Sequence, residues 1–264
     1  MIPSSLGLLR VVAAIPCFNT ERYIFDVVKR TRKQVDKVIV INDGSKDDTT
    51  RQAQNAGAIV ITHIANKGKG AAMKFGVEQA CAEIIVFIDG DGQHNPDDIS
   101  KLLQPIIDGS ADLVIGSRFL PGSTKLHTPY NRKIANLAAS AVISCLVSSP
   151  LTRKKRNPAR TATPNSKNPA YRVINGRIKW FTDCTGGFRA IRKSSWEKLN
   201  ITSDGYQVET EMIYEAVRNG LNIAEVPVSC KWEGEISKLS IIKDGAKTLN
   251  LLSKHAINDF RRTD

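Results

Sequence analysis

The chain of 264 residues contains no C-x-x-C pair. Its five cysteines, Cys17, Cys81, Cys145, Cys184 and Cys230, are scattered and odd in number. That argues against a disulfide framework or a structural zinc site and fits a reducing compartment. The first residues lack the charged start and small-residue cleavage site of a signal peptide, and "LLRVVAAIP" reads as a first strand. No apolar run is long enough to span a bilayer. The best, residues 134–147, would extend about 21 Å as a helix against a hydrocarbon core of roughly 30 Å. Internal repeats and a Walker A loop are absent as well. What remains is a chain of ordinary apolar content whose length suits one α/β domain or two small ones around a sizeable core.

Acids are missing altogether from residues 151–179, which hold nine Lys or Arg. The net charge is +12, so the rest of the chain carries 12 − 9 = +3. The segment is rich in Pro and Asn and has no periodicity, and it reads as a long, mobile, basic insertion. Basic loops bind phosphate backbones without specificity. Here aromatics other than Tyr171 are lacking and no recognised motif contains the charge, so nucleic acid is not the expected partner.

The first half alternates. Apolar, β-branched runs lie at 11–14, 37–41, 58–62, 83–88 and 112–115, and segments of helical length lie at 21–33, 46–56, 70–82 and 96–108. This order predicts right-handed crossovers and a mostly parallel sheet. Ligands of such sheets bind beyond the carboxyl ends of the strands. Three ends carry polar or Gly-rich signatures, "PCFNT", "NDGSKDD" and "DGDGQH", and are expected to converge on one crevice. Later, 131–147 reads as a helix with a narrow polar stripe of Asn136, Ser140 and Ser144. Residues 207–218 read as a helix and 222–228 as a strand. A C-terminal helix is expected to share one face among Ile242, Ala246, Leu249, Leu252 and Ala256.

In "IIVFIDGDGQHNPDD", Asp89 and Asp91 follow a strand at i and i+2, with glycines between and after. Gly90 and Gly92 permit a turn that points both carboxylates one way and lets a bulky ligand approach. A solvated D-G turn would need the same residues. The strand-end position, with Gln93 as a further oxygen donor, favours Mg²⁺ or Mn²⁺ held against substrate phosphates. Asp43 in "VIVINDGSKDDTT" suits either a hydrogen bond to a base or ribose, or a helix N-cap. Lys67 and Lys69 of "ANKGKGAAMKFG" flank glycines at a helix start, which favours an anion, or are simply exposed. His63 and His94 read as structural or solvent-facing, and Cys184 as packing.

The ordered set "IPCFN", "INDGSKDDT", "NKGKGAAMKFG", "IDGDGQHNP", "GSR", "TGGFRA" and "EGEISKL" resembles the family 2 inverting glycosyltransferases of the GT-A fold. Within them it is most similar to the dolichyl-phosphate mannose and glucose synthases. The likeness covers nearly the whole chain apart from 151–179 and implies a single domain over 1–264. It implies that Pro16, Phe18, Asn19 and Asp43 line a nucleoside pocket, and that Asp89, Asp91 and Gln93 hold the metal on a sugar-nucleotide diphosphate. Ser117, Arg118 and Arg132 correspond to groups that receive a lipid phosphate. Glu209, Glu211, Lys231 and Lys238 match the acceptor side. Two departures fall in the nucleotide pocket. Phe18-Asn19-Thr20 replaces the usual Tyr-Asn-Glu, with Glu21 nearby, and Asn42 replaces the first Asp of Asp-Asp-Gly-Ser.

The implied reaction moves a hexose from GDP-mannose or UDP-glucose to a dolichyl or polyprenyl phosphate, with inversion. A phosphate monoester has a second pKa of about 6, so near neutrality it needs no general base, only positioning and charge. Arg118, Arg132 and Lys133 supply that charge. Lys67 or Lys69, with the metal, would stabilise the leaving diphosphate. A sugar-hydroxyl acceptor would instead require a carboxylate base, with Glu209 or Glu211 as candidates. An inactive transferase-like subunit is disfavoured by the intact Asp89-x-Asp91. A lipid acceptor implies a peripheral protein at the cytoplasmic membrane face. It would be held there by helix 134–147 and the basic insertion, or by a membrane-anchoring partner subunit.

Overall fold

In the computed structural model, which describes residues 9–126, 130–148, 172–174, 180–231 and 241–260, Val11–Cys17 forms strand β1 with all seven side chains buried. A run with no polar face needs cover on both sides, and it has it. Val11, Ala13 and Ile15 join one apolar cluster, while Val12 and Ala14 join another. Glu21–Thr31 (α1) buries Ile24, Val27, Val28 and Thr31, a single stripe at helical spacing. The chain continues through Lys37–Asn42 (β2), Thr49–Asn55 (α2), Ile59–Thr62 (β3), Lys69–Gln79 (α3) and Ile84–Phe87 (β4).

Asn95 accepts the Asp97 N–H at 3.2 Å and caps a short 3-10 turn, Pro96–Asp98, that leads into Ile99–Ile107 (α4). Next come Leu113–Ser117 (β5), Lys125–Leu126 (β6), Tyr130–Ser148 (α5), Arg172–Ile174 (β7), Arg189–Arg192 (β8) and Lys193–Trp196 (α6). Val208–Arg218 (α7), Ile223–Pro227 (β9), Cys230–Lys231 (β10) and Ile241–Phe260 (α8) complete the described chain. Each expected strand and helix of the first half is present, with ends shifted by no more than three residues.

The main sheet has eight strands in the order β3-β2-β1-β4-β8-β5-β9-β7. β1 pairs in parallel with β2 and β4, β2 with β3, and β5 with β9. β8 runs antiparallel between β4 and β5, and β7 is antiparallel at the far edge. From β1 the chain builds outward through β2 to β3, then returns to β4 on the other flank. The order therefore reverses between β1 and β4, the place where such sheets open a crevice. β6 and β10 form a separate two-stranded ladder.

Two helices show which of their faces lies inside. The stripe Asn136, Ser140 and Ser144 of α5 faces inward and is buried, while Ile134 and Leu137 are 52% and 58% exposed. The reason lies in the neighbouring 181–185 segment, whose backbone needs partners. Asn136 donates to the Thr182 carbonyl at 2.7 Å and accepts the Cys184 N–H at 3.1 Å, and Ser144 accepts the Phe181 N–H at 3.2 Å. In α8, Leu252 and His255 are buried, whereas Ala246 and Leu249 lie outside. The side chains of Ile242 and Ala256 lie outside the described residues, as does the segment 151–179 apart from 172–174. No described helix is long and apolar enough to cross a membrane.

Helix α3 reaches the sheet through Gly76, where a Cβ would stand 2.7 Å from Ile41 Cδ1 and 3.1 Å from Ala14 Cβ. Gly76→Val is expected to lower stability by about 1–3 kcal/mol through overpacking. Chemical denaturation checks this, and an unchanged midpoint would mean that α3 is free to lift.

Candidate active site

The loops after β1 and β2 are laced together by short polar side chains. Asn19 adopts a left-handed backbone, φ 51°. Its N–H donates to Ser45 Oγ at 2.9 Å and its Oδ1 accepts the Lys46 N–H at 3.0 Å. Glu21 accepts the Asp48 N–H at 2.8 Å, so it braces the second loop. Asn42 donates to Thr50 Oγ1 at 2.7 Å and accepts the Ser45 N–H at 2.9 Å. Asp43 is turned away from α2. Its carboxylate accepts the N–H groups of Lys67 at 2.9 Å and Gly68 at 2.7 Å, and meets His63 Nδ1 at 2.8 Å. The N-cap reading therefore fails, and Asp47 takes the Thr49 N–H instead.

The three strand ends do converge. Pro16, Phe18, Asp43, Lys69, Asp89 and Asp91 line one cavity of about 440 Å³, together with Tyr206. Lys69, the first residue of α3, carries it electrostatically. Its Nζ lies 2.5 Å from Asp89 Oδ1 and 2.7 Å from Glu209 Oε1. Burial pulls the ammonium pKa down, but the charges of Asp89 and Glu209 outweigh this and hold it above the usual lysine range. Burial likewise works against ionised Asp89, and Lys69 keeps that carboxyl below its ordinary value. The pair needs room. A Cβ on Gly187 would collide with Lys69 Nζ and lie 2.6 Å from Asp89 Oδ2.

Behind Asp89 sits a second buried pair. Arg118 Nε and Nη2 donate to the two oxygens of Asp183 at 2.7 and 2.9 Å, and its backbone N–H adds a third bond at 3.1 Å. Asp183 is positioned in turn by Glu225 of β9, which accepts the N–H groups of Thr182 at 2.8 Å and Asp183 at 3.2 Å. Ser117 is fully buried and meets Thr182 Oγ1 at 2.6 Å. The Arg118 guanidinium is thus engaged within the protein, and Ser117 is part of its support. Burial pushes the His94 pKa down to about 4, so its ring is neutral, and the Cys184 thiol up to about 12, in keeping with packing.

Other expected residues stand apart. The Lys67 side chain is exposed and contributes its backbone N–H alone. Gln93 lines a neighbouring cavity of about 430 Å³ with Arg22, His94 and Lys231, and Asp91 belongs to both cavities. Lys133 is exposed on α5, while the Arg132 side chain and Lys238 lie outside the described residues. Glu211 is not in the cleft. Its carboxylate accepts the N–H and hydroxyl of Thr202 at 3.0 and 2.6 Å and those of Ser203 at 2.9 and 2.5 Å, and His255 Nε2 lies at 3.0 Å. Burial raises its pKa, but the bonds from His255, Ser203 and Thr202 prevail and take it down to about 2. Such a carboxylate is a poor base. Gly187 falls within "TGGFRA", whereas Asp183, Tyr206 and His255 carry no signal of their own in the sequence beyond, for His255, a polar residue near an apolar stripe.

Asp89 and Asp91 together suit a hard divalent cation, since both are carboxylates on one turn that line the same cavity. Among the described residues no group of three or more His, Cys, Asp or Glu is gathered for a metal. Two carboxylates, completed by phosphates and water, is the pattern magnesium-type sites use.

The glycosyl transferase family 2 model matches residues 12–199. A UDP-N-acetylglucosamine–dolichyl-phosphate N-acetylglucosaminyltransferase of Methanococcus voltae is 31% identical over 237 residues, covering 81% of this chain and 82% of the relative. A polyprenol monophosphomannose synthase of Mycolicibacterium smegmatis is 28% identical, covering 88% of this chain and 81% of the relative. Among solved structures, the glucosyl-3-phosphoglycerate synthase of Mycobacterium tuberculosis in complex with Mn²⁺ and UDP-glucose matches with a TM-score of 0.66 and 19% identity. That match covers 94% of this chain and 80% of the other. The α/β, GT-A architecture expected from the sequence is therefore the one observed.

Replacing Glu211 by Gln tests the buried cage. The native carboxyl ionises well below its unfolded value of 4.5, so it adds stability above pH 4.5 that is lost as pH falls towards 2. Glu211→Gln is expected to be less stable than the parent by roughly 2–3 kcal/mol at pH 7. The gap should close between pH 4.5 and 2 in urea titrations. A gap independent of pH would assign the loss to packing alone.

Proposed function

The chain belongs to glycosyl transferase family 2, and from that premise we propose that it moves one hexose from a nucleotide sugar to a dolichyl or polyprenyl phosphate. The donor would lie in the cleft, its nucleoside against Pro16, Phe18 and Asp43 and its diphosphate towards Lys69, Asp89 and Asp91. Mg²⁺ or Mn²⁺, held by Asp89 and Asp91 with Gln93 at hand, would supply positive charge to the departing diphosphate. Lys69 stays protonated in its carboxylate pair and offers a fixed charge beside the same group. Because Glu209 is buried and Lys69 and Asp89 are half-buried, that charge is worth more there than at a wet surface.

One observation favours a phosphate acceptor over a sugar hydroxyl. The carboxylates at or beside the cleft other than the metal pair are already committed, Asp43 to His63 and two backbone N–H groups, and Glu209, which lines the neighbouring apolar cavity, to the Lys69 ammonium 2.7 Å away. A carboxylate bound to a cation is a weak proton acceptor, whereas a phosphate dianion brings its own nucleophile. Arg132 and Lys133 at the start of α5, with Lys231 and Lys238, are the candidate charges for it.

The lipid part of the acceptor finds support in a third cavity. It measures about 210 Å³, is mostly apolar, and is lined by Ala139 and Val142 of α5, Thr210 of α7 and Leu252 of α8. Tyr206 lines both this cavity and the donor cleft. Exposed Ile134 and Leu137 on α5 and Leu249 on α8 give this side of the molecule an apolar surface suited to a bilayer. The named relatives that use dolichyl or polyprenol acceptors point the same way.

The test is a partition assay with Mn²⁺, dolichyl phosphate and labelled GDP-mannose, UDP-glucose or UDP-N-acetylglucosamine in parallel. Label is expected in the organic phase from one donor. Asp91→Ala should cut transfer by at least about 100-fold, the scale of losing a key electrostatic contact, with circular dichroism unchanged. Full activity in that variant, or donor hydrolysis with no lipid product in the parent, would sink the reading.

A further inference from the structure

The segment 202–206 is a strap with two anchored edges. One edge lies on the start of α3. A Cβ on Gly68 or Gly70 would collide with the carbonyl oxygens of Asp204 and Ser203, so only glycine lets the strap lie this close. Ala71 N–H donates to the Asp204 carbonyl at 3.1 Å, and Lys74 Nζ pairs with Asp204 Oδ1 at 2.7 Å. The other edge is held by Glu211 of α7, which takes four hydrogen bonds from Thr202 and Ser203. The fifth partner of that carboxylate, His255, comes from α8, one turn beyond the Leu252 that lines the apolar cavity. The His255 ring also packs against Tyr214, with centroids 5.4 Å apart, and its Nδ1 lies 3.7 Å from Glu215.

The strap ends at Tyr206, whose ring centroid is 6.0 Å from Lys69 Nζ. Tyr206 is shared by the donor cleft and the apolar cavity. We infer that the Glu211–His255 pair is a positioning device that ties α8 to this strap and so fixes Tyr206 as the wall between the two cavities. The inference rests on the acceptor reading above for what those cavities receive. Neither residue touches the cleft. Both act through the strap, and a ligand that shifts α8 would be felt at Tyr206 and Lys69.

The test compares the full chain with His255→Leu and with His255→Gln, whose amide can restore a donor near Nε2. Hydrogen exchange is read at residues 202–206, and steady-state kinetics are read with dolichyl phosphate and the active donor. In His255→Leu the amides of Thr202 and Ser203 are expected to exchange about tenfold faster, the scale of one charge-assisted hydrogen bond. The KM for the lipid phosphate should rise by a similar factor, while binding of the nucleoside diphosphate changes less than twofold. His255→Gln should recover both. If His255→Leu fails to fold, His255→Asn, too short to reach Glu211, replaces it. Unchanged protection at 202–203, or losses that follow melting temperature and are not rescued by Gln, overturns the inference. A parent enzyme that labels no lipid phosphate defeats the acceptor reading instead, and the exchange measurement still decides the strap.

Discussion

The ammonium of Lys69 stands between Asp89 and Glu209, half-buried at the wall of the cleft. A buried Glu209 and a half-buried Asp89 so close would otherwise repel, and drawing ionised groups out of water is itself costly. Lys69 removes that conflict and in doing so ties the start of α3, the turn after β4 and the start of α7 into one unit. Much of the local sequence follows from it. Gly187 exists as glycine because the pair occupies the space its side chain would need. Among the residues that line the donor cleft, the carboxylates of Asp43, Asp89 and Asp91 set against Lys69 give 1 − 3 = −2. A strongly basic chain thus builds an acidic cleft. A nucleoside diphosphate enters such a cleft only with compensating cations, which is the physical case for a divalent ion arriving with the donor.

The half of the fold that could be read from sequence is the half where one rule acts at a time. β1, β2 and β4 are buried on both faces, so continuous apolar runs announce them. β8 escaped because it has four residues with Arg at each end. Arg189 is nevertheless fully buried, its guanidinium donating to the carbonyls of Gly186, Cys184 and Glu209. Hydropathy counts such a residue as surface, and only the fold supplies the carbonyls. The inward side of α5 was open in the sequence for a related reason. Periodicity finds a stripe but does not say which side of it is inside, and a loop packed below a helix can make the polar stripe the buried one.

For the site, motif position was informative and pairing was not. That Asp43, Asp89 and Asp91 share a cavity follows from strand-end loops at a switch point of the sheet. That Asp183 would meet Arg118, or His255 meet Glu211, depends on contacts spanning 65 and 44 residues, to which local spacing is blind. Glu209 and Glu211 look equivalent in "VETE". Two positions apart on a helix they point in different directions, one to Lys69 and the other to the strap.

On the proposed reading, the same geometry lets one small fold serve two ligands of opposite polarity. The polar cleft sits at the ends of parallel strands, where backbone N–H groups and charged loops are available. The apolar cavity sits where α5, α7 and α8 meet, and α5 can open it because its polar stripe is spent on residues 181–185. A reaction between groups bound on the two sides requires that the boundary be thin and stay put. Tyr206 meets the first condition by lining both spaces. The strap meets the second, clamped to α3 by backbone contact at Gly68 and Gly70 and to α7 and α8 by a carboxylate with five partners. A loop without those anchors would fluctuate, and on the proposed reading the distance between the bound phosphate and the sugar it attacks would fluctuate with it.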